Sequence, residues 1–273
     1  MGSAIAAAAG ALMLAAAPAS GALSYVVGPN TTTGPAAQGS ATASCPASTF
    51  VVGGGAFSTG AFGAVATGSS GPSGNASWVE ETDVHAGTQS HRAFAICDAT
   101  MPNVEFGSKL VPTGEERRVR AECPSGENVY GGGYLASPNY GNTNTRSSRP
   151  YDDDDPDKDR DDGWEVTTFN FAPAPTEALV YAECGPRGST ARVSTRAISP
   201  NSQKAVRTAC PAGDRVTGGG AYAAGGNGNN WISSISPEDG NSDQDALPDD
   251  RWEGYLENDT GKRREIKAYV VCR

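Results

Sequence analysis

The segment CPSGENVYGGGY, residues 123–134, joins a loop-like opening to three consecutive glycines inside a run that otherwise resembles a β-strand. Comparable segments begin at Cys45 and Cys210. Each has a proline directly after the cysteine, a valine six residues on and a glycine triplet starting eight residues on. A proline 27 residues on, a tryptophan and a second cysteine complete each copy. The shared residues are Pro46, Pro124 and Pro211; Val51, Val129 and Val216; Gly53, Gly131 and Gly218; Pro72, Pro150 and Pro237; Trp78, Trp164 and Trp252; and Cys97, Cys184 and Cys272. This regularity predicts one supersecondary unit written three times.

The pattern within each copy predicts β-structure. Apolar and polar residues alternate over short segments rich in β-branched residues and separated by Gly, Pro and Asn clusters. Three units of four or five strands predict an all-β body with pseudo-threefold symmetry, as in a β-prism or a β-trefoil. We expect a single domain over residues 23–273, with repeats at 23–97, 98–184 and 185–273. The glycine triplets should let another backbone or a tryptophan ring approach closely near the pseudo-threefold axis.

The amino terminus indicates export. An apolar, alanine-rich run from Ala4 to Ala17 is followed by small residues, which is typical of a secretory signal peptide over residues 1–22. Six cysteines without a C-x-x-C pair then favour three disulfides. Two symmetric pairings are possible. One closes each unit on itself, as Cys45–Cys97, Cys123–Cys184 and Cys210–Cys272. The other links units, as Cys97–Cys123, Cys184–Cys210 and Cys272–Cys45. We favour the first, because a duplicated unit should carry its own staple.

The negative charge is concentrated between the shared proline and the shared tryptophan. The chain has a net charge of −10, and the acidic segments YDDDDPDKDRDDG (151–163) and EDGNSDQDALPDD (238–250) together carry 14 carboxylates and two basic residues. So many carboxylates argue against nucleic acid or an anionic membrane as a partner. Alternating aspartates suggest calcium ligands, although Lys158 and Trp164 occupy the glycine and glutamate positions of an EF-hand loop. A calcium site and a solvated acidic loop therefore remain alternatives. The candidate ligands are Asp153, Asp155, Asp157, Asp159 and Asp161.

Nothing in the sequence indicates catalysis. The two histidines, His85 and His91, lie in the segment DVHAGTQSH with Asp83, which we interpret as a polar turn between strands. No G-x-S-x-G elbow or H-E-x-x-H helix is present. We therefore predict that the protein is not an enzyme and needs no cofactor, calcium excepted.

Aromatic residues are the better candidates for recognition. The three repeated tryptophans are expected to fill the core, because a ring at a fixed place in every unit is usually buried. Tyr140 and Trp231 lie beside Asn- and Gly-rich turns, and we predict that they are exposed ligand contacts.

The motif C-P-x-G-x-x-V-x-G-G-G, followed by Trp, Asn and A-x-C, resembles repeats of uncharacterised exported proteins from high-GC Gram-positive bacteria. The resemblance covers residues 45–273 and implies no activity. The first copy departs from it at Ser48 and Val84. More distantly, three disulfide-bearing units with a C-P-x-G opening are similar to the vitelline membrane outer layer protein, a β-prism of an extracellular coat. Its paired tryptophans before the cysteine are absent from this sequence, so the similarity implies a threefold prism and transfers no site residue.

Three functions follow as hypotheses. The first is a secreted, non-catalytic binding or coat-type module that recognises an extracellular glycan or protein and does not enter the membrane after signal cleavage. The second is a structural surface protein with acidic, calcium-binding loops. The third is a hydrolase of unrecognised type.

Overall fold

The computed structural model describes residues 23–136, 140–152, 161–186, 188–240 and 247–273. These ranges form nineteen β-strands and no helix, so no helix within them could cross a membrane. The predicted all-β class is confirmed.

The strands follow the three repeats. The first repeat contains β1 (Ser24–Val27), β2 (Thr31–Thr33), β3 (Ala37–Ser44), β4 (Phe50–Ser58), β5 (Val65–Pro72), β6 (Ser77–Val84) and β7 (Gln89–Asp98). The second contains β8 (Asn103–Val111), β9 (Glu116–Glu122), β10 (Glu127–Leu135), β11 (Thr143–Tyr151), β12 (Gly163–Asn170) and β13 (Thr176–Pro186). The third contains β14 (Thr190–Ile198), β15 (Ser202–Ala209), β16 (Val216–Ala223), β17 (Asn230–Glu238), β18 (Arg251–Asn258) and β19 (Arg264–Cys272).

Each repeat has six equivalent strands, which we name a to f, and the first repeat adds the short β2. The predicted count of four or five strands is therefore too low. The missed strand is d, formed by β5, β11 and β17, which ends at or beside the shared proline. Nearly all of β5 and β17 is buried on both faces, so neither shows the alternation of a half-buried strand.

Each of the three antiparallel sheets combines two repeats. The first sheet has the order β1-β7-β4-β17-β18-β15, the second β3-β6-β5-β10-β13-β8 and the third β14-β19-β16-β11-β12-β9. Every sheet thus pairs strands a, f and c of one repeat with d, e and b of the repeat before it. The pairing of β4 with β17 joins the first and third repeats and closes the ring. This arrangement is the β-prism-like alternative.

The disulfides fasten these sheets together. Cys45 pairs with Cys97, Cys123 with Cys184 and Cys210 with Cys272, which is the arrangement within units. Each opening cysteine directly follows strand b and each closing cysteine lies in strand f, and b and f of one repeat belong to different sheets. Each disulfide within a repeat therefore also links two different sheets. Each bridge closes a loop long enough to contribute about 4 kcal/mol in the chain-entropy account.

The three glycines of each triplet have three different neighbours. A side chain on the first glycine, at Gly53, Gly131 or Gly218, would overlap the backbone of another strand c. One on the second, such as Gly132, would overlap the Trp164 ring, and one on the third, such as Gly133, would overlap the backbone at Ser70 in the adjoining strand d. The expected close approach of backbone and tryptophan at the pseudo-threefold axis is confirmed.

The repeated tryptophans form the centre of each unit's core, as predicted. All three are fully buried. The indole Nε1 of Trp78 donates to Ser70 Oγ and that of Trp164 to Ser148 Oγ, both at 2.9 Å. Ile235 occupies the equivalent position in the third repeat, and Trp252 Nε1 has no hydrogen-bond partner within the described part of the chain.

One buried carboxylate lies beside the axis. Glu183 is fully buried opposite Gly131, and neither carboxylate oxygen has a hydrogen-bond partner among the described residues. Burial raises the pKa of Glu183 well above its ordinary value. The equivalent residues of the other repeats, one before the closing cysteine, are Ile96 and Val271. The position therefore accepts an aliphatic side chain.

We expect Gly132→Ala to lower the free energy of unfolding by about 1–3 kcal/mol, because the added methyl group overlaps the Trp164 ring. Urea unfolding followed by tryptophan fluorescence measures the loss. Gly34→Ala is the matched control, since a methyl group there meets nothing within 4 Å. Equal unfolding midpoints for the two variants would contradict the close approach.

We expect Glu183→Ile to stabilise the protein at pH 7.5 by about 1–3 kcal/mol, because it removes a buried polar group that lacks a partner. The gain should shrink at pH 4.5, since the folded state holds the Glu183 proton more tightly than the unfolded state. Thermal unfolding at both pH values tests this. A loss of stability at pH 7.5 would show that the carboxylate has a stabilising role.

Candidate ligand-binding site at the loop end

The connections between strands c and d gather at one end of the molecule, which we call the loop end. The disulfides lie at the opposite end, which we call the disulfide end. Each connection contains a glycine 18 residues after its opening cysteine: Gly63 with φ 77°, Gly141 with φ 68° and Gly228 with φ 73°. In each case the glycine contacts strand e of the preceding repeat. The result is three equivalent junctions between repeats.

The junction of the first and second repeats carries an aromatic ring, an imidazole and a carboxylate. The Gly141 amide donates to Asp83 Oδ2 at 3.0 Å. Tyr140 is half-buried, and its hydroxyl lies 3.1 Å from His85 Nδ1 with the two ring centroids 5.5 Å apart. Burial raises the pKa of Asp83 to about 6, against the opposing hydrogen bonds from Gly141 and Gln38. Burial also lowers the pKa of His85, which favours the neutral imidazole.

The junction between the third repeat and the first has the same arrangement, built from different residues. The Gly63 amide donates to Glu257 Oε2 at 2.6 Å, and Gln203 Nε2 donates to the other oxygen at 3.3 Å. Phe62 stacks against Trp231 with centroids 6.5 Å apart and is 38% exposed. Burial is the main cause that raises the pKa of Glu257, to about 7.

The junction of the second and third repeats is apolar. Phe169 stands where Asp83 and Glu257 stand, five residues after the shared tryptophan. It packs with Phe171, centroids 4.5 Å apart, and both rings approach Gly228. The loop residue before this glycine is Asn227 instead of an aromatic residue. Two of the three junctions therefore combine a carboxylate with an aromatic loop residue, and the third does not.

The two aromatic residues predicted as ligand contacts both lie at these junctions. Tyr140 is partly accessible, but Trp231 is buried, so its predicted exposure is wrong. Trp231 lies beneath Phe62, and its Nε1 donates to the Val65 carbonyl oxygen at 3.0 Å. The sequence contained a better signal: Phe62 follows Cys45 by 17 residues, as Tyr140 follows Cys123. The equivalent of Tyr140 is Phe62 and not Trp231.

The acidic insertions leave from the disulfide end. The amide of Cys123 donates to the Asp162 carbonyl oxygen at 2.8 Å, and that of Cys210 donates to the Asp250 carbonyl oxygen at 2.9 Å. The two insertions thus rejoin the fold at equivalent places, at the end of the molecule away from Tyr140 and Phe62.

The proposed calcium ligands are largely untested. Asp153, Asp155, Asp157 and Asp159 lie outside the described residues. Asp161 is described, and its carboxylate accepts a hydrogen bond from Asn128 Nδ2. The described residues include no group of three or more acidic, His or Cys side chains that could hold a metal ion. The calcium site stays a prediction.

His85 and His91 are not neighbours. His85 is in the exposed turn after β6, whereas His91 lies in β7 and is fully buried, so the polar-turn interpretation is wrong for His91. His91 Nδ1 contacts Glu80, and Nε2 lies 2.8 Å from Thr33 Oγ1. A hydroxyl, an imidazole and a carboxylate in series resemble a nucleophile with its base, but all three side chains are buried. A substrate cannot reach these side chains in this structure. Their contacts link β2, β6 and β7.

The junction carboxylates predict a pH-dependent stability. Their folded-state pKa values of about 6 and 7 lie above the ordinary values of 3.8 and 4.5, so stability is greatest when both groups are protonated and falls as pH rises from about 4 to 7. Each group should contribute a fall on the order of 3 kcal/mol. We expect the double variant Asp83→Asn/Glu257→Gln to be less sensitive to pH over that range.

Urea unfolding at half-unit pH intervals measures this difference. Glu177→Gln, at an exposed carboxylate, serves as the control and should keep the wild-type pH dependence. If the double variant retains the full wild-type slope, these two groups do not titrate as inferred.

Comparison with known proteins gives no assignment. No protein-family model matches the chain, and no curated protein matches it.

Proposed function

We propose that the protein is a secreted, non-catalytic binding module whose loop end recognises hydroxyl-rich ligands, with glycans as the principal class. Export is supported by the predicted signal peptide and by the three disulfides, which persist in oxidising compartments. Loops held by a rigid scaffold are where binding residues concentrate. The observation that carries the proposal is the grouping of Tyr140, His85 and Asp83 in one junction.

The chemistry of this junction suits a sugar. The apolar face of an aromatic ring matches the C–H face of a pyranose, and a phenol hydroxyl and a neutral imidazole can each donate and accept hydrogen bonds. Small-ligand sites commonly combine an aromatic surface with a few placed polar groups. Asp83 would act mainly as a positioning group, because it is buried and holds the Gly141 amide beside Tyr140.

The second acidic junction is a poorer candidate. Glu257 is fully buried and already holds Gly63 and Gln203. Phe62 offers an exposed apolar face but lacks a neighbouring imidazole of the kind that His85 provides. We therefore assign the principal site to Tyr140 and treat Phe62 as an auxiliary aromatic contact.

A glycan array probed with the disulfide-bonded protein, with and without EDTA, tests the proposal. We expect EDTA-insensitive binding that falls at least tenfold in Tyr140→Ala, because the variant removes the ring face. Tyr140→Phe should retain part of the affinity, since it loses only the hydroxyl that meets His85. Phe171→Ala, at the apolar junction, is the matched control and should bind as the wild type does.

The outcome has clear alternatives. Binding of no glycan would refute the proposed ligand class, and equal losses in Tyr140→Ala and Phe171→Ala would refute the assigned junction. Binding that requires calcium would favour the acidic insertions at the disulfide end as the recognition surface. Unfolding midpoints of all variants should stay near the wild-type value, which separates lost contact from lost folding.

A further inference from the structure

A shallow, open groove of about 450 Å³ lies over the β14–β19 ladder at the edge of the third sheet. It is lined by Thr195, Arg196 and Ala197 and by Arg263, Arg264 and Glu265. In the β14–β19 ladder Ile198 pairs with Arg264, whereas Thr190 pairs with Cys272 at the disulfide end. Eight residues of strand separate these positions, so the groove lies about 26 Å from the disulfide end.

The arginines of this groove have no acidic partner within the described part of the chain. Arg196 and Arg263 are exposed, and neither forms an ion pair with any described residue. Arg264 is half-buried, and its Nε donates to Thr260 Oγ1 at 3.4 Å. The described lining includes one carboxylate, that of Glu265, which pairs with Lys267 at 3.1 Å.

Two other arginines of the third sheet are paired with a carboxylate. Arg120 and Arg149 both contact the buried carboxylate of Glu165 at 2.9 Å. The lining of the groove thus offers three arginines and one carboxylate, Glu265, which is already paired with Lys267. Guanidinium groups bind carboxylates through paired, planar hydrogen bonds, so the groove suits a ligand with several carboxylates.

The chain itself contains two segments that are rich in carboxylates. The two acidic segments account for a charge of −12, while the rest of the chain has 19 basic and 17 acidic residues. The second-repeat segment is the denser, with eight aspartates within residues 152–162. Both segments leave from the disulfide end, and the groove lies toward the loop end. The points at which the two acidic segments join the described fold therefore lie at the opposite end from the groove.

We propose that the Arg196–Arg263–Arg264 groove is an interface for a second copy of this chain and receives the acidic segment 152–162 of that copy. The contact is head-to-tail, so it joins unlike surfaces and can extend into open chains. It is expected to be weak and salt-sensitive, because exposed ion pairs contribute little individually and are screened within about 10 Å at 0.1 M salt. This interface is separate from the Tyr140 junction, and its failure would leave the glycan proposal intact.

Sedimentation velocity of the disulfide-bonded protein across a concentration series, in EDTA, tests the interface. We expect concentration-dependent association at 20 mM NaCl that is lost at 500 mM NaCl. Arg196→Glu/Arg263→Glu should weaken it at least tenfold. Lys109→Glu/Arg117→Glu makes the same change in net charge at exposed residues outside the groove, and it should associate as the wild type does.

A charge-exchange experiment tests the contact most directly. Replacing Asp153, Asp154, Asp155, Asp157 and Asp159 by Lys should abolish self-association. Mixing this variant with Arg196→Glu/Arg263→Glu should restore association, because the lysine segment then meets the glutamate groove and the wild-type segment meets the wild-type groove. Combining both sets in one chain should restore association, because the complementary charges are then reversed together.

Three results would overturn the proposal. The first is a monomer at every concentration in low salt. The second is association that the groove variant leaves unchanged. The third is association only when calcium is added, which would indicate metal-linked assembly instead of direct ion pairing. A monomer whose groove binds heparin, with loss in Arg196→Glu/Arg263→Glu, would assign the groove to an external polyanion.

Discussion

The fold depends on how closely the three c strands approach one another. At that distance no side chain fits, and each glycine of a triplet is excluded from carrying one by a different neighbour: another strand c, a tryptophan ring or the adjoining strand d. Glycine in a strand costs about 0.5–1 kcal/mol relative to alanine through backbone entropy. The loss is offset by what the approach allows, which is three fully buried tryptophans packed directly on the backbone and pairing of each strand c with a strand d of another repeat.

That pairing makes the repeats inseparable. Because each repeat gives half its strands to one sheet and half to the next, an isolated repeat would expose two unpaired sheet edges. Closure requires β4 of the first repeat to meet β17 of the third, far apart in sequence. The disulfides are placed accordingly. Each disulfide joins two strands of one repeat that belong to different sheets. Three disulfides within repeats therefore hold together sheets that are built from different repeats.

The repeat spacing was sufficient to predict the class, the threefold symmetry, the buried tryptophans and the favoured cysteine pairing. It failed at strand d, because close packing on both sides selects small residues such as Ser69 and Ser70 and removes the alternation that marks a half-buried strand. It failed again at Trp231, whose neighbouring Asn and Gly residues suggested exposure. The stacking of Phe62 across a repeat boundary is a tertiary contact that local composition does not encode. At the candidate site, Tyr140 was foreseen, but His85 and Asp83 were interpreted as part of a turn, since their meeting with Tyr140 crosses repeats.

The three junctions together show which residues are needed to join two repeats. All three use the same left-handed glycine and the same position of strand e, yet in one of them Phe169 takes the place of the carboxylate. A carboxylate is therefore not needed to join two repeats. Asp83 and Glu257 are desolvated, so each lowers the free energy of unfolding once the pH rises above its raised pKa. Phenylalanine can replace this acid in the architecture, so the presence of Asp83 beside an accessible tyrosine and a neutral histidine supports the proposal that this junction binds a ligand.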